Sequence, residues 1–221
     1  MVVKVYGVII SPYVQIVVLT LKEIGIPFEV VPIDPTSGQN KAPEYLAKQP
    51  FGQIPVLEDE DGFAVYESRA IARYLVSKYA PDSGLIPKDV KEIALFEQAA
   101  SNEVSNYSPH AFGIAWEGFF KPFFSTDPKD EVKTAGYKST LEAKLKVYDI
   151  ILSKQKYIAG DKFTLADIFH IPMGAAVLYH TGYKAFDAHP NVKRWWDELT
   201  SRPSFKEVWA GVDAFKAQVK N

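Results

Sequence analysis

The hydrophobic pattern of this chain changes character once, at the turn-former cluster "PDSGLIP", and that change limits what it can fold into. Before the cluster, β-rich stretches alternate with helix-periodic ones. "VVKVYGVII", with Lys4 to Ile10 read as a strand, is followed from Tyr13 by "YVQIVVLTLKEIGI", where Val14, Val17, Val18, Leu21 and Ile24 recur at helical spacing. Gly25, with Pro27 beyond it, supplies the helix stop. "PFEVVPID" reads as a second strand, "IPVLEDEDGFAVYES" as two short strands about the turn Asp61-Gly62, and "SRAIARYLVSKYA" as a helix. The order β-α-β, loop, β-β-α predicts a small α/β domain with helices packed on a mixed sheet. Beyond the cluster the windows are long and helix-periodic, broken at Pro109, Pro122, Pro128, Gly160, Gly182 and the "HPNV" and "RPSF" turns, which predicts an all-helical second domain. The boundaries read as residues 1–80, a linker at 81–88, and residues 89–221.

A length of 221 residues accommodates two domains, and 47% hydrophobic with 24% charged residues is the balance of a chain that buries a core. A net charge of -2, without a run of lysines or arginines, argues against a nucleic-acid partner. Apolar windows such as "IPMGAAVLY" fall short of the roughly 20 residues of a membrane helix, and no secretory signal is apparent, so the expected location is cytoplasmic and off the membrane. With no cysteine, disulfides, thiolate metal sites and protein-thiol nucleophiles are excluded. His110, His170, His180 and His189 show no metal-ligand spacing, so no metal is expected.

Three local patterns stand out. Ser11 followed by Pro12 is a helix start, with serine at the cap and proline at the first helical position. In "GDKFTLADIFH", Thr164 can cap a helix whose third residue, Asp167, reaches back to the cap amide, with Phe163 and Ile168 packing across the turn. Between Tyr107 and Phe124, the rings of Phe112, Trp116, Phe119 and Phe123 recur at helical spacing and could make one aromatic face, either core or the wall of an apolar pocket.

"PFGQIPVLEDEDGFAVYESRAIARYL", residues 50–75, resembles the glutathione-binding segment of soluble glutathione transferases. "YIAGDKFTLADIFHIP" and "HPNVKRWWDELTSRPSFKEV" are similar to later helices of that family, and "YSPHAFGIAWEGFFKP" to its phi class. The resemblance spans nearly the whole chain. It implies an α/β thioredoxin-like N-terminal domain plus an all-α C-terminal domain, a homodimer, and conjugation of glutathione to hydrophobic electrophiles. Glutathione is then a co-substrate, no cofactor is held permanently, and organic hydroperoxides are further substrates.

The resemblance also implies roles. Ile54-Pro55 would be a cis peptide that turns the Ile54 backbone toward a peptide ligand, which pairs with it like an added strand. Glu67 and Ser68, at a helix start, suit the ammonium and carboxylate of the γ-glutamyl end. Lys41 would meet the glycyl carboxylate and Gln53 the ligand backbone. Asn40 stands where a histidine is usual, which leaves a neutral donor. Ser11 matches the phi serine whose hydroxyl donates to the glutathione sulfur and favours the thiolate; Tyr6, near the end of the first strand, is the rival donor.

Pro12, Tyr13, Tyr107, Phe112, Trp116 and Phe119 are candidates for the hydrophobic substrate site, Tyr13 by packing over that substrate. "SPY" looks more like tau or omega classes, but omega enzymes carry cysteine at the Ser11 position, and this chain has none. Phi enzymes usually have arginine where Gln15 stands, so one positive charge is missing here. Two other readings are a slow, ligandin-like binding protein of the same fold and an interaction module like the N-terminal part of an elongation-factor subunit; the complete "PFGQIP" and the lack of a third domain speak against the latter.

Overall fold

Val3 and Val5 are buried while Lys4 and Tyr6 are partly exposed, the two-residue alternation of a strand with one covered face. This strand, β1 (Val3–Tyr6), leads through a loop into helix α1 (Pro12–Glu23), strand β2 (Phe28–Val31), a short helix α2 (Pro43–Leu46), strands β3 (Val56–Glu58) and β4 (Ala64–Tyr66), and helix α3 (Ser68–Tyr79). The computed structural model describes residues 2–219. The sheet order is β2-β1-β3-β4, with β1 parallel to β2 and antiparallel to β3, and β3 antiparallel to β4. This is the mixed sheet of a thioredoxin-like domain.

The expected strand from Lys4 to Ile10 ends early, at Tyr6. Gly7 has φ 155°, and a Cβ there would lie 2.5 Å from Val14 Cγ2, so the chain turns where only glycine lets it approach α1. The apolar run that follows is therefore loop: the Ser11 amide donates to the Val8 carbonyl at 3.0 Å. At the other end of α1, Gly25 at φ 69° donates to the Lys22 carbonyl and Ile26 to the Leu21 carbonyl, a left-handed stop that satisfies two otherwise open acceptors.

A buried carboxylate ties the β3–β4 hairpin to α3. Asp59 accepts from Tyr74 and Tyr79 hydroxyls and from Lys78 Nζ at 2.7 Å. Burial pushes its pKa up, but these donors and the Glu60 amide outweigh it and hold the group well below the usual carboxylate range.

The chain forms two compact units, Met1–Ser83 together with Arg202–Asn221, and Gly84–Ser201. The expected boundary is corrected in one respect: the last helix, α9 (Pro203–Val219), packs on α1 in the first unit rather than with the helical one. Arg202 makes a two-pronged pair with Glu23, at 2.8 and 2.6 Å, and Ser204 donates to the same carboxylate. Planar guanidinium geometry at a largely covered carboxylate fixes this helix start firmly.

The second unit contains helices α4 (Val90–Asn102), α5 (Ser108–Ala115), α6 (Glu131–Leu152), α7 (Leu165–Ala175) and α8 (Pro190–Ser201). Its core holds Phe96, Tyr107, Leu141, Phe169, Phe186 and Trp195. Asp167 lies within it, fully buried: Oδ1 accepts from the Ile158 amide at 3.0 Å and Trp195 Nε1 at 2.9 Å, and Oδ2 from the Thr164 amide at 2.9 Å and its hydroxyl at 3.2 Å. Burial raises its pKa to about 6 against the pull of these donors. The expected reach of Asp167 back to the cap amide is thus present, and the same carboxylate also anchors a loop and a neighbouring helix.

Among the described residues, three π-helical turns interrupt the helices, at Glu103–Tyr107, Trp116–Phe120 and Ala176–His180. Pro109 does not end the helical run, because the preceding π turn places its missing N–H at a joint in the ladder. The turn at Trp116–Phe120 also divides the expected single aromatic face. Phe112, Trp116 and Phe124 pack together, with Trp116 stacked on Phe124 at 5.6 Å. Phe119 instead contacts Phe120 and Phe123 and stacks on His180 at 4.0 Å. An extra residue in a turn rotates everything after it, so four-residue spacing no longer maps to one stripe.

Candidate active site

The registry of the sheet gathers the predicted site residues of the first unit. Tyr6 pairs with Val56, and Val56 with Tyr66, so one row runs across β1, β3 and β4. From that row the chain leaves β1 toward Ser11, enters β3 from Ile54-Pro55, and leaves β4 into Glu67-Ser68. A Cβ on Gly7 would stand 3.5 Å from Ile54 Cβ, so the first two segments touch. Helices α1 and α3 both begin here, and neither carries an acidic residue in its first turn. Their partial positive ends remain available to a negatively charged group.

Ser11 occupies the cap position of α1 with φ -72° and ψ 122°, and Pro12 follows at the first helical position. Its hydroxyl nonetheless makes no capping bond. Ser11 is partly exposed at the helix N-terminus, and its hydroxyl has no hydrogen-bond partner among the described residues. The Ser11 backbone does accept, from the Gln15 amide at 3.0 Å.

Tyr6 is differently placed. Its hydroxyl donates to Glu58 Oε2 at 3.2 Å, and the Lys48 ammonium, paired with the same carboxylate, lies 5.2 Å over its ring. The Lys48 hydrogen bond, against burial, lowers the pKa of Glu58 and keeps it a charged acceptor for that hydroxyl.

Ile54-Pro55 is cis, as expected. Among the described residues, neither the amide nor the carbonyl of Ile54 is paired with another backbone group, although β3 begins two residues later. Gln53 is exposed and its carbonyl accepts from the Tyr45 hydroxyl at 2.7 Å. Glu67 has φ 71°, the one positive-φ non-glycine residue among those described. Such a conformation costs roughly 1–3 kcal/mol and clusters at ligand sites. Ser68, the first residue of α3, is buried.

Asn40 and Lys41 converge on the Gly52 carbonyl. Asn40 Nδ2 donates to it at 2.7 Å, and Lys41 Nζ donates to it at 3.0 Å and to the Phe51 carbonyl at 2.9 Å. Asn40 is buried, and its Oδ1 has no partner. Gly52, at φ 60°, leaves no room for a Cβ, which would lie 2.6 Å from Lys41 Nζ. These two residues thus brace the loop that presents Gln53 and Ile54, and Lys41 is exposed.

The remaining candidates divide. Pro12 is buried and Tyr13 partly exposed on the first turn of α1. Phe112, Trp116 and Phe119 are partly exposed in the second unit. Tyr107 is corrected to a core residue: it is 1% exposed and packs on Tyr148 and His170. Sequence reasoning missed Tyr45, whose contact with Gln53 no local pattern signals, and saw in Gln15 only a missing charge.

Comparison with known proteins identifies the family to which this fold belongs. The profile described as "Glutathione S-transferase, N-terminal domain" matches residues 1–77, and "Glutathione S-transferase, C-terminal domain" matches residues 107–203. Glutathione S-transferase PM239X14 of Arabidopsis thaliana is 48% identical over 197 residues, 88% of this chain and 89% of that one. Glutathione S-transferase hmp2 of Hypomyces subiculosus is 39% identical over 212 residues, covering 95% and 96%. The crystal structure of glutathione transferase F2 from Populus trichocarpa superposes with a TM-score of 0.90 at 35% identity, over 96% of this chain and 99% of that chain. The chain belongs to the glutathione S-transferase family. Within it, the likeness to the plant F-type proteins sets it in the phi class.

Proposed function

We propose that this transferase binds glutathione along the Ile54 backbone and activates its thiol through Ser11. The observation that carries this reading is the Ser11 hydroxyl: it stands at a helix cap yet caps nothing, at the positive end of α1. Glutathione sulfur reacts as the thiolate, whose free pKa of about 8.5 leaves little of it at neutral pH. A hydroxyl donating to sulfur favours that anion without forming a covalent bond. The thiol proton departs to solvent. Sulfur then attacks an electrophilic carbon, the carbon–sulfur bond forming as the leaving group departs with its electron pair. Tyr6 is the weaker candidate, because its hydroxyl already donates to Glu58.

The rest of the peptide has partners at the same row of the sheet. The unpaired Ile54 amide and carbonyl suit main-chain pairing with the cysteinyl residue, Ser68 and the α3 N-terminus the γ-glutamyl carboxylate, and Glu67 its ammonium. Lys41 suits the glycyl carboxylate and Gln53 the ligand backbone, while Asn40 acts by bracing Gly52. The maize glutathione S-transferase I structure was solved with an atrazine glutathione conjugate, at 31% identity and a TM-score of 0.88. That precedent fits an apolar electrophile as the second substrate here. The same thiolate serves for organic hydroperoxides, and the setting is the cytosol, where thiols stay reduced. Among the described residues no helix is long and apolar enough to cross a membrane.

Calorimetric titration with glutathione tests the binding half of this reading. Ser68→Ala is expected to weaken glutathione about 10–100-fold, the worth of a hydrogen bond to a charged group, and to raise KM for glutathione while kcat changes little. Unchanged affinity would place the carboxylate elsewhere.

We also propose a homodimer. Phe51 is 65% exposed and Val90 75% exposed, apolar surface that a partner copy would cover. Light scattering is expected to give the mass of two chains, reduced to one by Phe51→Asp; a monomeric wild type would end this proposal.

A further inference from the structure

We infer that Gln15 is a positioning residue that holds the Ser11 hydroxyl at the sulfur, a role resting on the reading of Ser11 given above. Gln15 is 2% exposed, on the first turns of α1. Its side chain leans back toward the helix N-terminus, as helical side chains do. There Nε2 donates to the Ile9 carbonyl at 2.9 Å and, more weakly, to the Ile10 carbonyl at 3.4 Å. Its own backbone amide donates to the Ser11 carbonyl. One residue thus grips three successive carbonyls, those of Ile9, Ile10 and Ser11.

The consequence for Ser11 is conformational. Pro12 brings no N–H to this turn and the serine hydroxyl makes no cap bond, so the usual side-chain fastening of a helix start is missing. The Gln15 grip replaces it. With the carbonyls of residues 9 and 10 drawn onto the amide, the peptide planes leading into Ser11 are set, and with them the extended backbone that leaves the hydroxyl off the helix amides. On the same loop, the Ile9 side chain lies 3.9 Å from the place of a Cβ on Gly211 of α9, a second support. Without the Gln15 donor the Ile9 and Ile10 carbonyls would turn in search of another partner, and Ser11 would be free to swing its hydroxyl onto the open α1 amides. A neutral amide does this without adding charge, so sulfur stabilisation in this chain rests on the hydroxyl and the helix end.

The test is a double-mutant cycle read by the ultraviolet absorbance of the bound glutathione thiolate against pH. Gln15→Met is expected to raise the pKa of the bound thiol by about 0.5–1, which lowers kcat/KM for chlorodinitrobenzene about 3–10-fold below pH 7, with glutathione affinity held within about twofold. In a Ser11→Ala background the same change is expected to add nothing, which a merely structural role would not reproduce. An unchanged pKa in Gln15→Met overturns the proposal, as does an equal shift in both backgrounds. If Ser11→Ala alone leaves the pKa unmoved, the thiolate-donor reading fails first and takes this proposal with it. Gln15→Arg, which keeps N–H donors for the same carbonyls, serves if Gln15→Met does not fold. Its bound-thiol pKa is expected to rise when Ser11→Ala is added, and no rise would count against the positioning role.

Discussion

Ser11→Ala is expected to lower kcat/KM for conjugation of glutathione to chlorodinitrobenzene by about 10–100-fold near pH 6.5, the worth of one hydrogen bond to an anion. Glutathione affinity is expected to stay within about twofold, because the peptide is held by other groups. The loss has a pH signature. The hydroxyl lowers the thiol pKa, so the advantage is full below that lowered value, fades as pH climbs from it toward the free thiol's roughly 8.5, and is gone above, where the thiolate forms unaided. The variant's pH–rate profile should therefore move to higher pH and meet the wild type at the alkaline end. Tyr6→Phe should stay within about twofold throughout, since that hydroxyl serves Glu58. Superimposable wild-type and Ser11→Ala profiles would remove Ser11 from the chemistry.

The largest stability effect is expected at Asp167. Its carboxylate satisfies the buried amides of Ile158 and Thr164 and the Trp195 indole, and Asp167→Ala would orphan all three. At roughly 1–3 kcal/mol for each buried unsatisfied donor, the loss should be about 4–5 kcal/mol. That is a large part of the ~5–15 kcal/mol of a typical fold, and thermal unfolding should shift down by about 10–15 °C. Burial sets the pH dependence: the folded pKa of about 6 exceeds the unfolded value near 3.9. Between those values the unfolded chain releases a proton that the folded chain keeps, so this contribution falls as pH rises from about 4 to 6 and is level above. The deficit of the variant should narrow over the same interval. A loss under about 1 kcal/mol in urea unfolding would show that the network is not what fixes α7.

Features set by a few neighbouring residues were legible in the sequence. The Asp61-Gly62 hairpin, the Gly25 stop, the Ser11-Pro12 helix start and the reach of Asp167 to the Thr164 amide all depend on backbone preferences or contacts within one turn. Features set by approach between distant segments were not. Residues 8–10 are β-branched and read as strand, but Gly7 turns the chain because α1 packs against it at Val14. The seat of α9 depends on Arg202 meeting Glu23 from the far end of the chain, which no window reports. The π turns defeat an aromatic pattern that assumes regular spacing, and so Phe119 stacks on His180 while Phe112 and Trp116 pack with Phe124. Of the site itself, residue identities were legible, whereas the uncommitted Ser11 hydroxyl, the committed Tyr6 hydroxyl and the Gln15 grip emerge only from geometry.

The thiolate absorbance of bound glutathione, titrated in the wild type and in Ser11→Ala, reads the central claim without any second substrate. The wild-type complex should show a thiol pKa at least about one unit below the free value of roughly 8.5, and Ser11→Ala should return it most of the way. A wild-type thiol that titrates at the free value, or a lowered pKa that survives in Ser11→Ala and is lost in Tyr6→Phe, would contradict the assignment of Ser11.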